Sequence, residues 1–317
     1  MPIPKANQLL VKTLCSAVSA GTELLVYRGQ LPDSMPLDAT IEDLKEQTNR
    51  WPIRYGYAAV GEIIAMGDGV DQAWEGELVF AFNPHESHFC TEPEHLIKVP
   101  EGISAEDAAF LPNMETAVSF LMDSRPLIGE TVVVIGLGIV GQLTLKLLGQ
   151  MPLGKLIGVD GVSARRQRAL KSGATAVFDP TDPALPHFLG QMGADLVLEL
   201  SGNPNALNGA IQLAGYNGRI LVGSWYGKKQ APLALGGEFH RSNIQLFASQ
   251  VSRLHPNLTG RWSKQRRLDT VWQMLAQHRP SSFITHRPNV AQAAAVYEML
   301  DQRPSEALQV LFEYQRK

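Results

Sequence analysis

The sequence predicts an α/β fold: a doubly wound parallel sheet in the middle of the chain, with a mostly β unit built from the segments on either side. Two observations predict it. Between residues 120 and 252, short apolar runs alternate with helical stretches, which is the pattern of βαβ units. Upstream, apolar runs are separated by glycine- and proline-bearing turns and show little helical periodicity, as expected of a separate β-rich part.

In chain order, 11–14, 60–66 and 78–81 read as strands, and 38–48 suits a short amphipathic helix on the positions of Ile41, Leu44 and Lys45. The central strands are expected at 131–135, 156–160, 174–178, 195–200, 219–223 and 244–250. All are short and rich in valine, isoleucine and leucine, as parallel strands buried on both faces must be. Helices fall between them at 140–150, 164–172, 183–192 and 205–214. Right-handed crossovers leave few topologies, and six strands fit the two-halves arrangement that binds dinucleotides. Helices at 265–278 and 290–300 and a strand at 308–314 close the chain. The expected domains are 1–119, 120–252 and 253–317, the first and last forming one unit.

Composition excludes several function classes. The 317 residues are 44% hydrophobic and 19% charged, the balance of a globular protein. Lysine and arginine number 28 against 31 acidic residues, so no nucleic-acid partner is expected. The one basic stretch, 261–267, reads as a solvated helix start. The two cysteines, Cys15 and Cys90, cannot supply a disulfide framework or a four-cysteine zinc site. No apolar run approaches the roughly 18 residues of a membrane span, and Met1–Lys5 lacks a signal-peptide core. No membrane association is expected, and the expected location is the cytoplasm.

One motif carries chemistry. Gly136-Leu137-Gly138-Ile139-Val140-Gly141 follows the strand at 131–135 and opens a helix. Gly136 permits a tight turn, Gly138 lets backbone approach a pyrophosphate, and Gly141 lets helix and strand pack closely. The phosphates then lie on free N–H groups at the helix N-terminus, over Ile139 and Val140. Asp160 ends the next strand, about 20 residues beyond the motif, where the dinucleotide fingerprint places an acidic residue on the adenosine ribose. A 2′-phosphate would be repelled there, which favours NAD over NADP. Arg165 and Arg166 keep NADP open, against the simpler reading of a solvated helix face. A Rossmann domain for FAD or S-adenosylmethionine would carry the same glycines.

The rest of the chain resembles the medium-chain dehydrogenase/reductase superfamily, the alcohol dehydrogenase and quinone reductase relatives. The segments carrying the resemblance are Ser19-Ala20-Gly21-Thr22-Glu23, Tyr55-Gly56-Tyr57-Ala58-Ala59-Val60-Gly61, Glu115-Thr116-Ala117, Ser201-Gly202-Asn203-Pro204 and Val222-Gly223-Ser224. The resemblance implies a GroES-like catalytic domain made from both chain ends, with the Rossmann domain between them. It implies that Ser201, Gly202, Val222, Gly223 and Ser224 face the nicotinamide. It also implies a further strand pair ahead of 8–13, for which the sequence has no counterpart. Relatives with a similar Gly-Thr-Glu loop include dehydrogenases of the hydroxyethyl side chain of bacteriochlorophyll precursors.

The departures are informative. Where zinc-dependent members carry cysteine this chain has Ala20, and where they carry histidine then glutamate it has Tyr57 and Ala58. Glu115 alone does not make a three-ligand zinc site, and 78–99 leaves room for little more than a turn in place of the four-cysteine lobe. No metal is expected. His85, His88 and Cys90 have ligand-like spacing, but a polar loop explains them more simply. Without a metal, the oxygen of an alcohol/ketone substrate must be polarised by hydrogen-bond donors. Tyr57 is the first candidate, with packing as its alternative; His85 is the second, since imidazole titrates near neutrality. Thr22 occupies a proton-relay position, and Glu115 orients a donor or holds the nicotinamide ribose. Trp51, Tyr55 and Trp225 are candidates for an apolar substrate wall, and 30–50 for a cover over it.

The expected activity is therefore zinc-independent hydride transfer between NAD(H) and an alcohol/ketone pair. The alternatives are an NADPH-dependent reductase of quinones or activated alkenes, and a non-catalytic dinucleotide-binding protein. An apolar edge strand at 244–250 suggests a homodimer.

Overall fold

The computed structural model describes residues 1–32 and 52–314; the helix expected at 38–48 and Trp51 lie outside them. The chain divides into two compact units. Unit 1 is Met1–Pro112 with Thr270–Lys317, and unit 2 is Asn113–Asp269. Unit 2 is wider at each end than the 120–252 span, because its limits fall inside two long helices, Leu111–Ser124 and Lys264–His278.

Unit 2 holds a six-stranded parallel sheet. Its strands are β6 (Thr131–Ile135), β7 (Lys155–Val159), β8 (Ala176–Phe178), β9 (Ala194–Glu199), β10 (Ala214–Val222) and β11 (Gln245–Ala248), in the order β11-β10-β9-β6-β7-β8. The order reverses beside β6, the topological switch point at which such sheets bind nucleotides. Strand alternation sends Val133 and Ile135 into one core with Ile157, Val197 and Ile220, and Val132 and Val134 into the other with Leu156, Leu196 and Leu221. That two-sided burial is why the strands read as continuous apolar runs rather than alternating ones. The end strand β11 is shorter than 244–250 and half-exposed.

In unit 1, β1 (Leu9–Ala17), β2 (Ala59–Met66), β3 (Leu78–Ala81), β4 (His88–Thr91), β5 (Leu96–Lys98), β12 (Ile284–His286) and β13 (Gln309–Glu313) form a seven-stranded sheet. β1 is its centre: it pairs antiparallel with β2, β4 and β13, and two bulges against β2 let it serve so many partners. Leu9, Val11, Ile63, Val79 and Phe89 pack on one side, while Val18, Val296, Val310 and Phe312 form a second cluster.

Three readings need correction. The 78–99 segment contains β4 and β5, not a bare turn; their runs are too short for strand periodicity to register. The segment around Ala20 is a helix, α1 (Ala20–Tyr27), not a loop. Glu23 reaches back to accept from the Ser19 N–H at 2.7 Å, and Gly29, at φ +64°, ends the helix. Arg267, in the basic stretch, is 2% exposed rather than solvated. Among the described residues, no helix is long and apolar enough to cross a membrane.

Candidate active site

The glycine loop sits at the C-terminal end of β6 and leads into α4 (Ile139–Leu148), which is preceded in unit 1 by α1 and α2 (Ala105–Ala108) and then by α3 (Leu111–Ser124). Its three glycines are required by different contacts. Gly136 has φ +92°, and a Cβ there would lie 2.5 Å from the Ser201 backbone. A Cβ on Gly141 would lie 2.0 Å from the Gly136 carbonyl, whereas one on Gly138 would meet nothing within 4 Å. So two glycines draw backbone together, and the third leaves open space at the N-terminus of a ten-residue helix, where an anion is favoured. This arrangement fits a pyrophosphate.

Asp160 follows β7 and is 9% exposed. Its Oδ2 accepts from the Leu137 N–H at 2.7 Å and its Oδ1 from the Val162 N–H at 2.7 Å. A carboxylate has about four lone-pair sites, so capacity remains for a ribose diol. The two arginines are not a solvated face. Arg165 lies 3.9 Å from the Asp160 carboxylate. Arg166 donates to the Asp160 carbonyl at 2.6 Å and to Asp179 at 3.1 Å.

Ser201, Gly202, Val222, Gly223 and Ser224 lie together beyond β9 and β10. The Gly202 N–H donates to Ser224 Oγ at 2.9 Å. Gly223 is a packing glycine: a Cβ would come within 2.4 Å of Phe120 and Leu200. Beneath them is a residue the sequence reading passed over. Glu199, fully buried, accepts from the Ser201 N–H at 2.8 Å and from the hydroxyls of Ser201 and Tyr226. Burial, then the bond to Glu199, pushes the Tyr226 hydroxyl well above the ordinary tyrosine range, so it stays a donor. An acidic residue directly after the apolar run Leu196–Leu198 was the available signal.

In unit 1 a second buried network gathers around His85. Its Nε2 faces Glu23 at 3.1 Å and its Nδ1 faces Ser16 Oγ at 2.7 Å; Ser16 Oγ lies 2.8 Å from the Tyr314 hydroxyl. Tyr297 donates to the same Glu23 oxygen. A carboxylate only accepts, so Nε2 carries a hydrogen. The other nitrogen, Nδ1, is left to pair with the Ser16 hydroxyl, so both ring nitrogens are engaged. Burial pushes the Glu23 carboxyl up. The charge and hydrogen bond of His85, with the Tyr297 hydroxyl and the Ser19 N–H, outweigh burial and hold it below 4.5. Burial and the Glu23 charge keep Tyr297 protonated far above its usual range. His85 also fixes the Tyr55–Tyr57 segment. Its N–H donates to the Tyr55 carbonyl at 3.1 Å, and a Cβ on Gly56 would strike its ring at 2.8 Å.

Tyr57 stands edge-on to Tyr55, with ring centroids 6.2 Å apart. Thr22 is half-buried in the first turn of α1. Glu115 lies in unit 2, one turn inside α3 rather than at its start, where Arg267 donates to it at 2.7 Å. Arg267 also donates to Ser119 and the Val251 carbonyl. Trp225 is 40% exposed. Among the described residues, His85, His88 and Cys90 do not bring ligand atoms together; Glu92, Glu94 and His95 do, on an exposed turn.

Comparison with known proteins agrees with this geometry. The family model described as zinc-binding dehydrogenase matches residues 139–268. D-guloside 3-dehydrogenase of Escherichia coli K12 is 27% identical over 286 residues, 85% of this chain and 81% of that protein. The chain is similar to zinc-type dehydrogenases over most of its length, in line with its resemblance to the medium-chain dehydrogenase/reductase superfamily. Solved structures of similar proteins have the same fold. An alcohol dehydrogenase of Escherichia coli CFT073, solved with NADH, gives a TM-score of 0.76 at 19% identity, covering 99% of this chain and 94% of that one. The 2R,3R-butanediol dehydrogenase of Bacillus subtilis gives 0.77 at 18% identity, with 99% and 94% covered. The family match lies within 139–268, so it does not reach Ala20 or Tyr57, the positions that differ from the zinc-dependent members.

Two outcomes follow from this geometry. Gly138→Ala folds as the parent does but weakens coenzyme binding, whereas Gly141→Ala loses stability outright by driving a methyl into backbone. Urea titration and coenzyme titration of both variants check this, and equal stability losses would contradict it. Glu23, lowered in the folded chain, contributes stability that is complete above its ordinary value of 4.5 and is lost as pH falls below it. Glu23→Gln should therefore flatten the acid limb of urea midpoint against pH, and an acid limb as steep as the parent's would exclude that role.

Proposed function

We propose that the chain is a zinc-independent oxidoreductase that transfers a hydride between NAD(H) and an alcohol/ketone substrate. The observation that carries this reading is the Asp160 carboxylate, bonded to the Leu137 N–H at 2.7 Å and so held beside the open position at Gly138. When bound, the nicotinamide supplies or accepts the hydride. Asp160 takes the adenosine ribose hydroxyls, and its charge disfavours a 2′-phosphate. The glycine loop and the N-terminus of α4 take the pyrophosphate. Ser201, Gly202, Val222, Gly223 and Ser224 shape the nicotinamide end, with Glu199 holding Ser201 in place. Arg267 fixes the Glu115 carboxylate, whose second oxygen accepts from the nicotinamide ribose.

Zinc independence rests on Ala20 and Tyr57, neither of which can take the role of the cysteine and histidine ligands. Tyr57 donates to the developing oxyanion, Thr22 relays the proton, and the His85 network holds the Tyr57 segment. His85 is thus a positioning residue, since Glu23 and Ser16 engage both its nitrogens. The similarity to D-guloside 3-dehydrogenase supports a secondary alcohol as substrate. The second reading, an NADPH-dependent reductase of quinones or alkenes, is favoured only by Arg165 and Arg166 beside Asp160.

Thermal shifts with NADH should exceed those with NADPH, and Asp160→Ser should cost NADH affinity about 10- to 100-fold, the loss of a hydrogen bond to a charged group. A larger NADPH shift would transfer the assignment to the second reading, to be followed with an enone panel. Tyr57→Phe should lower kcat about 10²–10³-fold, the usual cost of one oxyanion donor, with NADH affinity unchanged and activity indifferent to chelators; chelator-sensitive turnover would remove zinc independence. The exposed edge of β11 is proposed as a homodimer contact, and a monomer in sedimentation at micromolar concentration would exclude it.

A further inference from the structure

Unit 1 holds an open cavity of about 390 Å³, lined in part by the His85 network, to which the reading above gives no ligand. Its volume is in the range of small-molecule pockets. Thr22 and Tyr57 are not among its walls. Glu23, Val26 and Tyr27, spaced i, i+3 and i+4, present one face of α1 to it. The adjoining wall comes from Val290, Ala293 and Tyr297, the last two in α9 (Ala293–Gln302, which follows α5 to α8 at Ser163–Lys171, Ala184–Leu189, Ala206–Leu213 and Lys264–His278).

The lining is specific in three respects. First, it is aromatic. Tyr27 and Tyr297 stack with centroids 5.8 Å apart and planes 17° from parallel, and Tyr55 and Phe312 add further ring surface. Second, its charges already have partners within the wall. Glu23 is bonded by His85, Tyr297 and the Ser19 N–H, and Arg54 Nε donates to Glu86 at 2.8 Å. An ion entering would meet no uncompensated charge to offset its lost hydration. Third, those paired groups keep unused hydrogen-bonding capacity: a carboxylate accepts at about four sites and a guanidinium donates at about five. A neutral ligand with several hydroxyls could bond to them without breaking either pair.

We propose that this cavity binds a neutral pyranoside, a sugar ring whose apolar face lies on the tyrosines while its hydroxyls meet Arg54 and Glu86. The proposal rests on the cavity alone and stands or falls independently of the coenzyme assignment.

The test is calorimetric titration of the full chain, without coenzyme, using methyl α- and β-D-hexopyranosides, with methyl-inositol ethers as non-sugar polyols and hexose 6-phosphates as charged controls. Saturable binding of a methyl pyranoside, with the phosphates weaker, is expected. Tyr27→Ala, at a side chain 43% exposed and so tolerant of change, should weaken it about tenfold, the scale of one aromatic contact; Tyr27→Trp should restore it. Ala293→Trp should abolish it by filling the space. NADH affinity should be the same in all three variants, which separates failure here from failure of the coenzyme reading. No pyranoside binding at millimolar concentration, binding indifferent to Tyr27→Ala and Ala293→Trp, or preference for the phosphates would each overturn the proposal.

Discussion

The bond between the Leu137 N–H and the Asp160 carboxylate is the constraint from which the rest of unit 2 follows. It joins the turn after one parallel strand to the end of its neighbour at the place where the sheet changes direction. With that turn fixed, the Gly136 carbonyl is driven against α4, and only glycine is admitted at 141. The first turn of the helix then faces open space at 138. A single acidic side chain thereby shapes the cradle and, in the function proposed above, takes the sugar beside it. The same economy explains why Asp160 is buried yet ionisable groups crowd around it: Arg165 and Arg166 offset its charge from the far side without covering its remaining lone pairs.

Unit 1 solves a different problem. The resemblance implies zinc ligands at the α1 start and in the segment before β2. Here those positions are alanine and tyrosine, and the nearby charged machinery is Glu23, His85 and their hydroxyl partners. The network occupies the inner side of α1, while Thr22 lies outside it. The metal-free chemistry proposed above requires rigidly held donors, because a hydrogen bond to a developing oxyanion depends on direction more than a metal bond does. The steric fit of Gly56 beneath the His85 ring supplies that rigidity from packing.

The sheet of unit 2 was legible because two-sided burial leaves an unbroken apolar signature and because the glycines are dictated by backbone clashes, which depend on local geometry alone. β4, β5 and β12 were not legible, since three or four residues carry too little periodicity to separate strand from turn. Helix α1 was misread because its start, Ser19-Ala20-Gly21, has a glycine in the first turn and owes its shape to Glu23 folding back on Ser19. The His85 network escaped because it assembles from positions far apart in sequence: 16, 23, 85, 297 and 314. Spacing instead suggested His88 and Cys90, which β4 directs elsewhere. Glu199 was hidden for a simpler reason: a buried carboxylate is justified only by the hydroxyls that surround it, and Tyr226 lies on the far side of a glycine turn.

The contact between Ser16 and Tyr314 spans 298 positions, and β1 cannot complete its pairing until β13 is available. A nascent chain therefore presents the ribosome exit with the whole of unit 2 while β1 still lacks one of its three partners. Folding order is thus imposed by connectivity: the inserted unit matures first and brings the two halves of its host within reach of each other. Destabilising the insert would then depress the yield of the β-rich unit as well, through synthesis rather than through any contact in the finished protein.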